Sequence, residues 1–257
     1  MKLVTFNING IRARMPRLLD YLEREQPAIV CLQELKCADE ALPVGDIEAA
    51  GYRAVWHGQK GFNGVAILAR GEAPVLRQVG LPGDPDDSHS RYIEAEVDGL
   101  IVASIYLPNG NPIGTDKFAY KLRWMERLRD RATELLAEER PVVLAGDYNV
   151  IPEDRDTFSR RAMANDALFQ PESQAAFRTL VHQGWTDALR AIHPTEPRLY
   201  TFWDYQAGAV ARDAGFRIDH LLLSPQAADR LRGAGVDKWA RAGDKASDHA
   251  PTWVELA

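Results

Sequence analysis

The chain of 257 residues has the composition of an ordinary globular protein, with 46% hydrophobic and 26% charged residues. No apolar run approaches the ~20 residues that a membrane span requires, and the N-terminal apolar stretch is too short for a secretion signal, so we expect a cytoplasmic protein. The formal net charge of −6 argues against a protein that coats nucleic acid through bulk attraction, and the two cysteines provide no disulfide framework. The length is compatible with one domain over residues 1–257.

The predicted elements are mostly strands, which occupy the apolar runs at residues 3–8, 28–33, 52–57, 64–69, 91–97, 100–107 and 142–145. Apolar residues at helical spacing predict helices over 16–25 and 116–139. Residues 80–87 predict a surface turn, and 151–177 a long mixed loop. Several of the predicted strands have only turns between them, which a purely parallel sheet does not allow. The sequence therefore predicts an α/β fold with mixed sheets and outer helices.

Polar residues follow several of these apolar runs. They are of the types that bind a hard cation or a phosphate, namely Asn7 and Asn9, Gln33 and Glu34, Asp147 and Asn149, and Asp219 and His220, with Ser247 to Pro251 near the C-terminus. Each of them alone is more often a turn former or a helix cap. The prediction of a functional site therefore depends on their repetition.

The segment around Gly146 carries the strongest of these signals. Along an extended chain Asp147 and Asn149 point the same way, and Gly146 permits close approach of another backbone. Magnesium needs only one or two protein carboxylates beside waters and a substrate phosphate, so Glu34 among amides is chemically sufficient. Zinc is not expected, because the histidines do not cluster at ligand spacing with the cysteines.

His249 is the candidate for a charged donor. Its neighbour Asp248 points elsewhere, because adjacent side chains diverge, so the carboxylate that orients the imidazole is expected from another part of the chain. Asp219 is the predicted partner. The alternative is that His249 is a solvated imidazole or a helix cap.

Seven short motifs occur in a fixed order along the chain: Phe6-Asn7-Ile8-Asn9-Gly10-Ile11-Arg12, Leu32-Gln33-Glu34-Leu35-Lys36, Gly58-Gln59-Lys60, Tyr106-Leu107-Pro108-Asn109-Gly110, Gly146-Asp147-Tyr148-Asn149, Arg217-Ile218-Asp219-His220 and Ser247-Asp248-His249-Ala250-Pro251. Together they resemble the motifs of the exonuclease III family of abasic-site endonucleases, and the resemblance spans nearly the whole chain. Any one of these motifs is weak, but seven in order make a chance match improbable.

The resemblance implies a four-layered α/β sandwich of the DNase I-like type. Two mixed β-sheets pack face to face between helices, with the active site at one end of the sheets. It also implies a magnesium-dependent hydrolase, for which manganese can substitute, acting on double-stranded DNA at abasic sites and 3′ ends. We expect this enzyme to be a monomer without a membrane contact.

The resemblance also implies roles for individual residues. The implied metal ligands are Glu34, Asn7, Asn9 and Asp248, of which Glu34 is the principal one. In the implied catalytic set, Asp147 orients and deprotonates the attacking water, Asn149 and Tyr106 hold the phosphate, and Asp219 and His249 grip a non-bridging oxygen. Magnesium and preorganised donors would stabilise the extra charge of the pentacoordinate state.

The aromatic group at residues 200–205 resembles the apolar pocket in which this family receives an extruded abasic sugar. The predicted substrate-binding residues are Phe202, Trp203, Phe216, Ile218, Asn109, Arg91 and Lys117. For the aromatic residues the alternative is core packing, and for the cationic ones a solvated surface charge.

Three departures from the family pattern concern Ala28, residues 188–191 and Asp213, which puts an anion near the predicted DNA surface. Two other functions remain as alternatives: a phosphodiesterase for small phosphates on the same fold, and a regulator that binds nucleic acid without cutting it. The aromatic group favours DNA, and the intact catalytic set opposes a regulator that has lost catalysis.

Overall fold

The computed structural model describes residues 1–257, and its strands and helices are arranged in four layers. The strands are β1 (Lys2–Asn7), β2 (Ile29–Gln33), β3 (Tyr52–His57), β4 (Val65–Arg70), β5 (Val75–Val79), β6 (Tyr92–Val97), β7 (Leu100–Tyr106), β8 (Val142–Asp147), β9 (Thr186–Asp187), β10 (Asp219–Leu223), β11 (Leu231–Val236) and β12 (Thr252–Leu256). The α-helices are α1 (Ile11–Glu25), α2 (Val44–Ala49), α3 (Asp116–Ala137), α4 (Arg160–Met163), α5 (Pro171–Val181), α6 (Ala188–Ile192) and α7 (Pro225–Ala228).

The strands form two six-stranded sheets. The order is β11-β12-β1-β2-β4-β3 in the first sheet and β5-β6-β7-β8-β10-β9 in the second. The β1–β2 and β7–β8 pairs are parallel, whereas the other pairs are antiparallel. The predicted sandwich of two mixed sheets is therefore confirmed.

The core lies in three slabs between the layers. Leu3 and Ile67 of the first sheet meet Val102 and Leu221 of the second in the central slab. The outer face of the first sheet packs on α1 and α2, and that of the second on α3 and α5. Because the central strands are buried on both faces, they appear in the sequence as unbroken apolar runs. No helix is both long and apolar enough to cross a membrane.

Helix α1 begins earlier than predicted, at Ile11 instead of Pro16. Ile11, Met15, Leu18 and Leu22 follow helical spacing, and all four are buried. The proline lies inside the helix and removes one backbone hydrogen bond. Burial of the apolar turn before it outweighs that loss.

The prediction of a long loop over 151–177 was wrong in two places, because helix α4 and the start of helix α5 lie inside this range. Helix α5 begins at Pro171, a residue well suited to the first helical position, and buries Phe177 and Leu180 against the second sheet. The short helix α4 is capped by the Ser159 side chain, which accepts a hydrogen bond from the N–H of Ala162. The turn predicted at 80–87 carries no helix or strand, as expected.

Strands β5 and β9 to β12 were not predicted, and this omission matters most for Asp219. The sequence interpretation treated Asp219 as a residue that follows a strand, but it is the first residue of β10. Strand β10 runs antiparallel to β8, with Asp219 opposite Asp147. The start of one strand therefore meets the end of the other.

Candidate active site

The predicted polar residues gather at one end of the two sheets. Strands β1 and β2 are parallel, so Asn7 and Gln33 lie side by side at their ends. Strands β7 and β8 are also parallel and end at the paired residues Tyr106 and Asp147. The parallel pairs in the middle of both sheets thus direct four motifs to the same edge.

Asn7 joins the two sheets at this edge. Its fully buried side chain donates from Nδ2 to Oε1 of Glu34 at 2.9 Å and to Oδ2 of Asp147 at 2.9 Å. The Oδ1 atom of the same amide accepts the N–H of Asn9 at 3.0 Å. Asn7 therefore fixes the distance between two carboxylates that repel each other.

His249 lies between two aspartates. Its Nδ1 is 2.8 Å from Oδ2 of Asp219, and its Nε2 is 3.7 Å from Oδ2 of Asp147. Burial acts to lower the pKa of His249, but Asp219 and Asp147 outweigh it and raise the pKa to about 10. The imidazole is therefore a cation at neutral pH, with Nδ1–H donating to Asp219 and Nε2–H facing the site.

The pKa of Asp147 lies well above that of an exposed carboxylate. Burial raises its pKa to about 7, with Asp219 acting in the same direction, while His249 and the hydrogen bond from Asn7 lower it. Its Oδ1 accepts the N–H of Asn149 at 2.9 Å. A carboxyl group that titrates near neutrality is suited to accept a proton from water.

Glu34 and Asn9 already bind a cationic group. The ammonium of Lys36 lies 2.7 Å from Oε2 of Glu34 and 2.6 Å from Oδ1 of Asn9. Burial opposes ionisation of Glu34, but hydrogen bonds from Lys36 and Asn7 hold its pKa below the usual range. The fourth predicted ligand, Asp248, accepts a hydrogen bond from Nδ2 of Asn9 at 2.9 Å.

The carboxylates of Asp147 and Asp219 lie close to each other beside His249. One carboxylate oxygen of each and a ring nitrogen of His249 all lie within 4.8 Å of one another, although the charged imidazole is a hydrogen-bond donor and not a metal ligand. In addition, Oδ1 of Asp219 is buried and has no hydrogen-bond partner. An orphaned carboxylate oxygen beside several others fits a hard cation or a ligand that carries one. The donor set of this site therefore fits a metal ion.

The residues predicted to hold the phosphate are next to this centre. Asn149 donates from Nδ2 to the Leu107 carbonyl at 2.9 Å and accepts at Oδ1 from Nδ2 of Asn109 at 3.2 Å. The guanidinium of Arg91 lies 4.8 Å from the ring centroid of Tyr106. Burial, and then the charges of Glu34 and Asp147, keep the pKa of Tyr106 well above its usual range, so its hydroxyl stays a donor.

Lys117, a predicted substrate-binding residue, is exposed in the first turn of α3, and its side chain makes no hydrogen bond or ion pair.

The predicted aromatic pocket begins at His249. The Phe202 ring meets the imidazole edge to face at 5.0 Å, and Phe216 stacks on Phe202 at 5.5 Å. Both rings are partly exposed beside the site. Ile218 is buried in the small apolar cluster that Phe202 and Phe216 pack against.

Trp203 lies behind that pocket in a separate core cluster and is only 3% exposed. Its indole N–H donates to Oδ1 of Asp213 at 3.0 Å. Asp213, one of the departures from the family pattern, is thus engaged by Trp203 and lies 3.9 Å from the ammonium of Lys238. The structure favours core packing for Trp203, the alternative that the sequence left open.

Two functional contacts were not foreseen from the sequence. Oγ1 of the buried Thr201 accepts the N–H groups of Ile218 and Asp219, each at 3.1 Å, and so fixes the start of β10. The buried ammonium of Lys121 donates to the carbonyls of Asn109 and Asn149. Thr201 was missed because it lies between aromatic residues, which were themselves the predicted pocket. Lys121 could have been noticed, because a lysine is unusual among the apolar residues that form the buried face of α3.

Two packed mixed sheets with a carboxylate and imidazole centre at their end define a hydrolase of phosphodiester bonds. The model of the Endonuclease/Exonuclease/phosphatase family matches residues 4–249. The exodeoxyribonuclease III of Haemophilus influenzae is 36% identical over 267 residues, covering 100% of both chains.

Two solved structures superpose closely on the chain. An AP endonuclease from Archaeoglobus fulgidus does so with a TM-score of 0.95 at 36% identity, over 100% of this chain and 99% of its own. The 3′ phosphatase NExo from Neisseria, bound to product DNA hairpin, has the same TM-score, identity and coverage. The chain belongs to the endonuclease/exonuclease/phosphatase family, within its exonuclease III group.

Proposed function

We propose that the protein is a DNA-repair nuclease that hydrolyses DNA on the 5′ side of abasic sites and removes nucleotides or phosphate from 3′ ends. The single observation that carries this proposal is the position of His249, whose Nδ1 is 2.8 Å from Asp219 and whose ring is in edge contact with Phe202. A hydrogen-bond donor suited to an anion thereby adjoins a partly exposed aromatic surface. A phosphodiester next to a sugar without a base needs both features.

DNA is the proposed substrate because the relatives act on it and because the aromatic wall suits an extruded sugar. The Neisseria phosphatase was solved with product DNA hairpin, and the Archaeoglobus relative is an AP endonuclease. A phosphodiesterase for small phosphates has no use for Phe202 and Phe216 beside its catalytic histidine. Cytoplasmic location and a monomeric state remain predictions from the sequence.

Magnesium, for which manganese can substitute, is the proposed cation. Glu34 would be its principal ligand, with Asn7, Asn9 and Asp248 around it, and Oδ1 of Asp219 provides a further carboxylate oxygen nearby. When bound, the metal offsets the negative charge of the phosphate and of the leaving oxygen. Glu34, Asp147, Asp219 and Asp248 bring four carboxyl groups to one end of the sheets, and a divalent ion would balance part of their charge.

The proposed chemistry of the protein side chains follows from their protonation. Asp147, buried and held by Asn7, accepts the proton of the attacking water. His249 donates from Nε2 to a non-bridging oxygen, while Asp219 keeps the imidazole charged and oriented. Asn149 and Tyr106 add amide and phenol donors at the same edge.

A duplex with a single abasic analogue, labelled so that incision and 3′-end shortening are both visible, tests this proposal. We expect both reactions in magnesium or manganese and neither in excess chelator. Full activity in chelator would contradict the metal-dependent mechanism, and absence of incision in either metal would contradict the proposed function.

A second arm of this experiment tests the principal ligand. Glu34→Ala should raise the magnesium concentration needed for half-maximal cleavage without lowering the melting temperature. Glu72→Ala is the matched control, because Glu72 is exposed in the turn after β4, at the opposite end of the sheet from the site. Normal cleavage by Glu34→Ala at low magnesium would exclude Glu34 as a ligand.

A further inference from the structure

The aromatic row that begins at His249 continues beyond the predicted pocket. Phe158 packs on Phe216 with ring centroids 5.6 Å apart and an interplanar angle of 32°, while Phe216 stacks on Phe202. Phe158 is 43% exposed, whereas most large apolar side chains of the chain are buried. The row therefore leads from the catalytic imidazole to an aromatic face in solvent.

The Phe158 ring is held in this exposed position by its backbone. Its N–H donates to the Gly215 carbonyl at 3.1 Å, and the preceding Thr157 forms a β-bridge with Phe216. One residue earlier, the carboxylate of Asp156 is fully buried and bonds to the Arg217 guanidinium at 2.8 Å. A segment anchored by a buried ion pair presents the ring in a fixed place, which lowers the entropic cost of binding on it.

A basic cleft of about 380 Å³ opens beside Phe158. Arg198 and Arg212 line it, and neither guanidinium makes an ion pair. The acidic side chain in its lining is Asp213, which accepts the indole N–H of Trp203. In a chain with a net charge of −6, this is a local site for an anion.

We infer that this cleft binds unpaired nucleotides of the DNA strand next to the scissile phosphate, with a base stacked on Phe158 and phosphates at Arg198 and Arg212. The inference rests on the proposed function. Proteins that bind single strands combine aromatic rings with cationic side chains. The bases stack on the rings, and the phosphates bind the cations, so binding does not depend on sequence.

An unpaired strand fits these side chains better than a duplex does. In a duplex the base faces are covered by their neighbours, so a protein reaches mainly phosphates and groove edges. An exposed ring such as Phe158 then has no base face to contact. The cleft therefore favours frayed 3′ ends and unpaired nucleotides beside a lesion over fully paired DNA.

DNA binding measured at equilibrium, with a chelator present to prevent cleavage, tells whether Phe158 stacks on a base or has only a structural role. The probes are two labelled duplexes that differ only in a run of unpaired thymines beside the abasic analogue. Phe158→Leu keeps the apolar contact with Phe216 but loses the aromatic face. It should weaken binding of the unpaired probe about 5- to 100-fold and leave the fully paired probe unchanged. Phe158→Trp should bind like the native chain.

The arginines are tested by the double variant Arg198→Gln and Arg212→Gln. Loss of two phosphate contacts to a single strand should reduce the slope of log K against log salt by about 1.4 for the unpaired probe. Arg232→Gln is the control, because Arg232 is exposed on β11 at the opposite end of the sheet. Melting temperatures check that each variant is folded.

Two results would overturn the inference: native affinity of Phe158→Leu for the unpaired probe, or equal weakening on both probes. Because binding is measured without cleavage, failure of the cleft and failure of the proposed function are distinguishable. A native chain that binds the unpaired probe but never incises it would contradict the function alone. Normal incision with variants that bind both probes normally would contradict the cleft alone.

Discussion

The ammonium of Lys36 lies 2.7 Å from Oε2 of Glu34, on the carboxylate proposed to hold the metal. A bound cation and this ammonium compete for the same oxygen. The same ammonium lies 2.6 Å from Oδ1 of Asn9, another of the proposed ligands. The lysine is therefore expected to set the strength of metal binding.

Lys36→Met should tighten magnesium binding about 1.4- to 5-fold, since a partly exposed ion pair contributes about 0.2–1 kcal/mol. Titration calorimetry with magnesium in the absence of DNA measures the effect. Lys117→Met is the matched control, because it removes the same charge from an exposed position without a bonded partner. Unchanged or weaker affinity in Lys36→Met would show that the two cations do not share Glu34.

Asp147→Asn removes the proton acceptor but keeps the size of the side chain, and its remaining oxygen can still accept the hydrogen bond that Asn7 donates. The expected loss is about 10² to 10⁴ in cleavage rate, the usual contribution of a general base, with DNA binding retained. Single-turnover kinetics together with binding measurements separate the two effects. Asp98→Asn, in the β6–β7 turn at the far end of the sheet, is the control. If affinity and rate fall together, Asp147 has a structural or metal-binding role instead.

Phe216→Ala should impair discrimination more than chemistry. The substitution removes an apolar wall but leaves His249, Asp147 and the metal ligands in place. We expect cleavage at an abasic site to fall relative to 3′-end digestion, or intact nucleotides to be admitted. Paired kinetics on both substrates measure this, with melting as a check of folding. Equal losses on both substrates, or none, would identify Phe216 as core packing.

His220 predicts a pH dependence of stability. In its buried neutral form Nε2–H donates to the Val150 carbonyl at 3.0 Å, and Nδ1 accepts from Arg217 at 3.1 Å. Burial, and then the charge of Arg217, lowers the pKa of His220 to about 4. Between about pH 6.5 and 4 the unfolded chain binds a proton that the folded chain does not, so this histidine lowers stability as the pH falls.

The measurement is the free energy of unfolding of the native chain and of His220→Gln at pH 7.5 and 5. Because the other titrating groups are common to both, the difference isolates His220. The native chain should lose about 2 kcal/mol more than the variant over this range. An equal loss in both chains would show that the imidazole is protonated without penalty.

Much of this molecule was determined by local sequence patterns. Apolar runs located the central strands to within one or two residues, because burial on both faces demands unbroken hydrophobicity. Short polar motifs made Glu34, Asp147 and His249 candidates for the site, and the fold brings these three residues to one end of the sheets. The family resemblance then gave the sandwich, which the two sheets confirm.

The tertiary structure decided what depends on partners distant in the chain. Asp219 is at the start of β10 because that strand pairs antiparallel with β8, and no local pattern specifies such pairing. Thr201 positions Asp219 through two backbone hydrogen bonds, and Lys36 turns to Glu34 instead of to solvent. Phe158 packs on Phe216 because the preceding residue, Thr157, forms a β-bridge with Phe216. Residue type limits what a side chain can do, but the charges and hydrogen-bonding groups that folding brings around it decide which of those things it does.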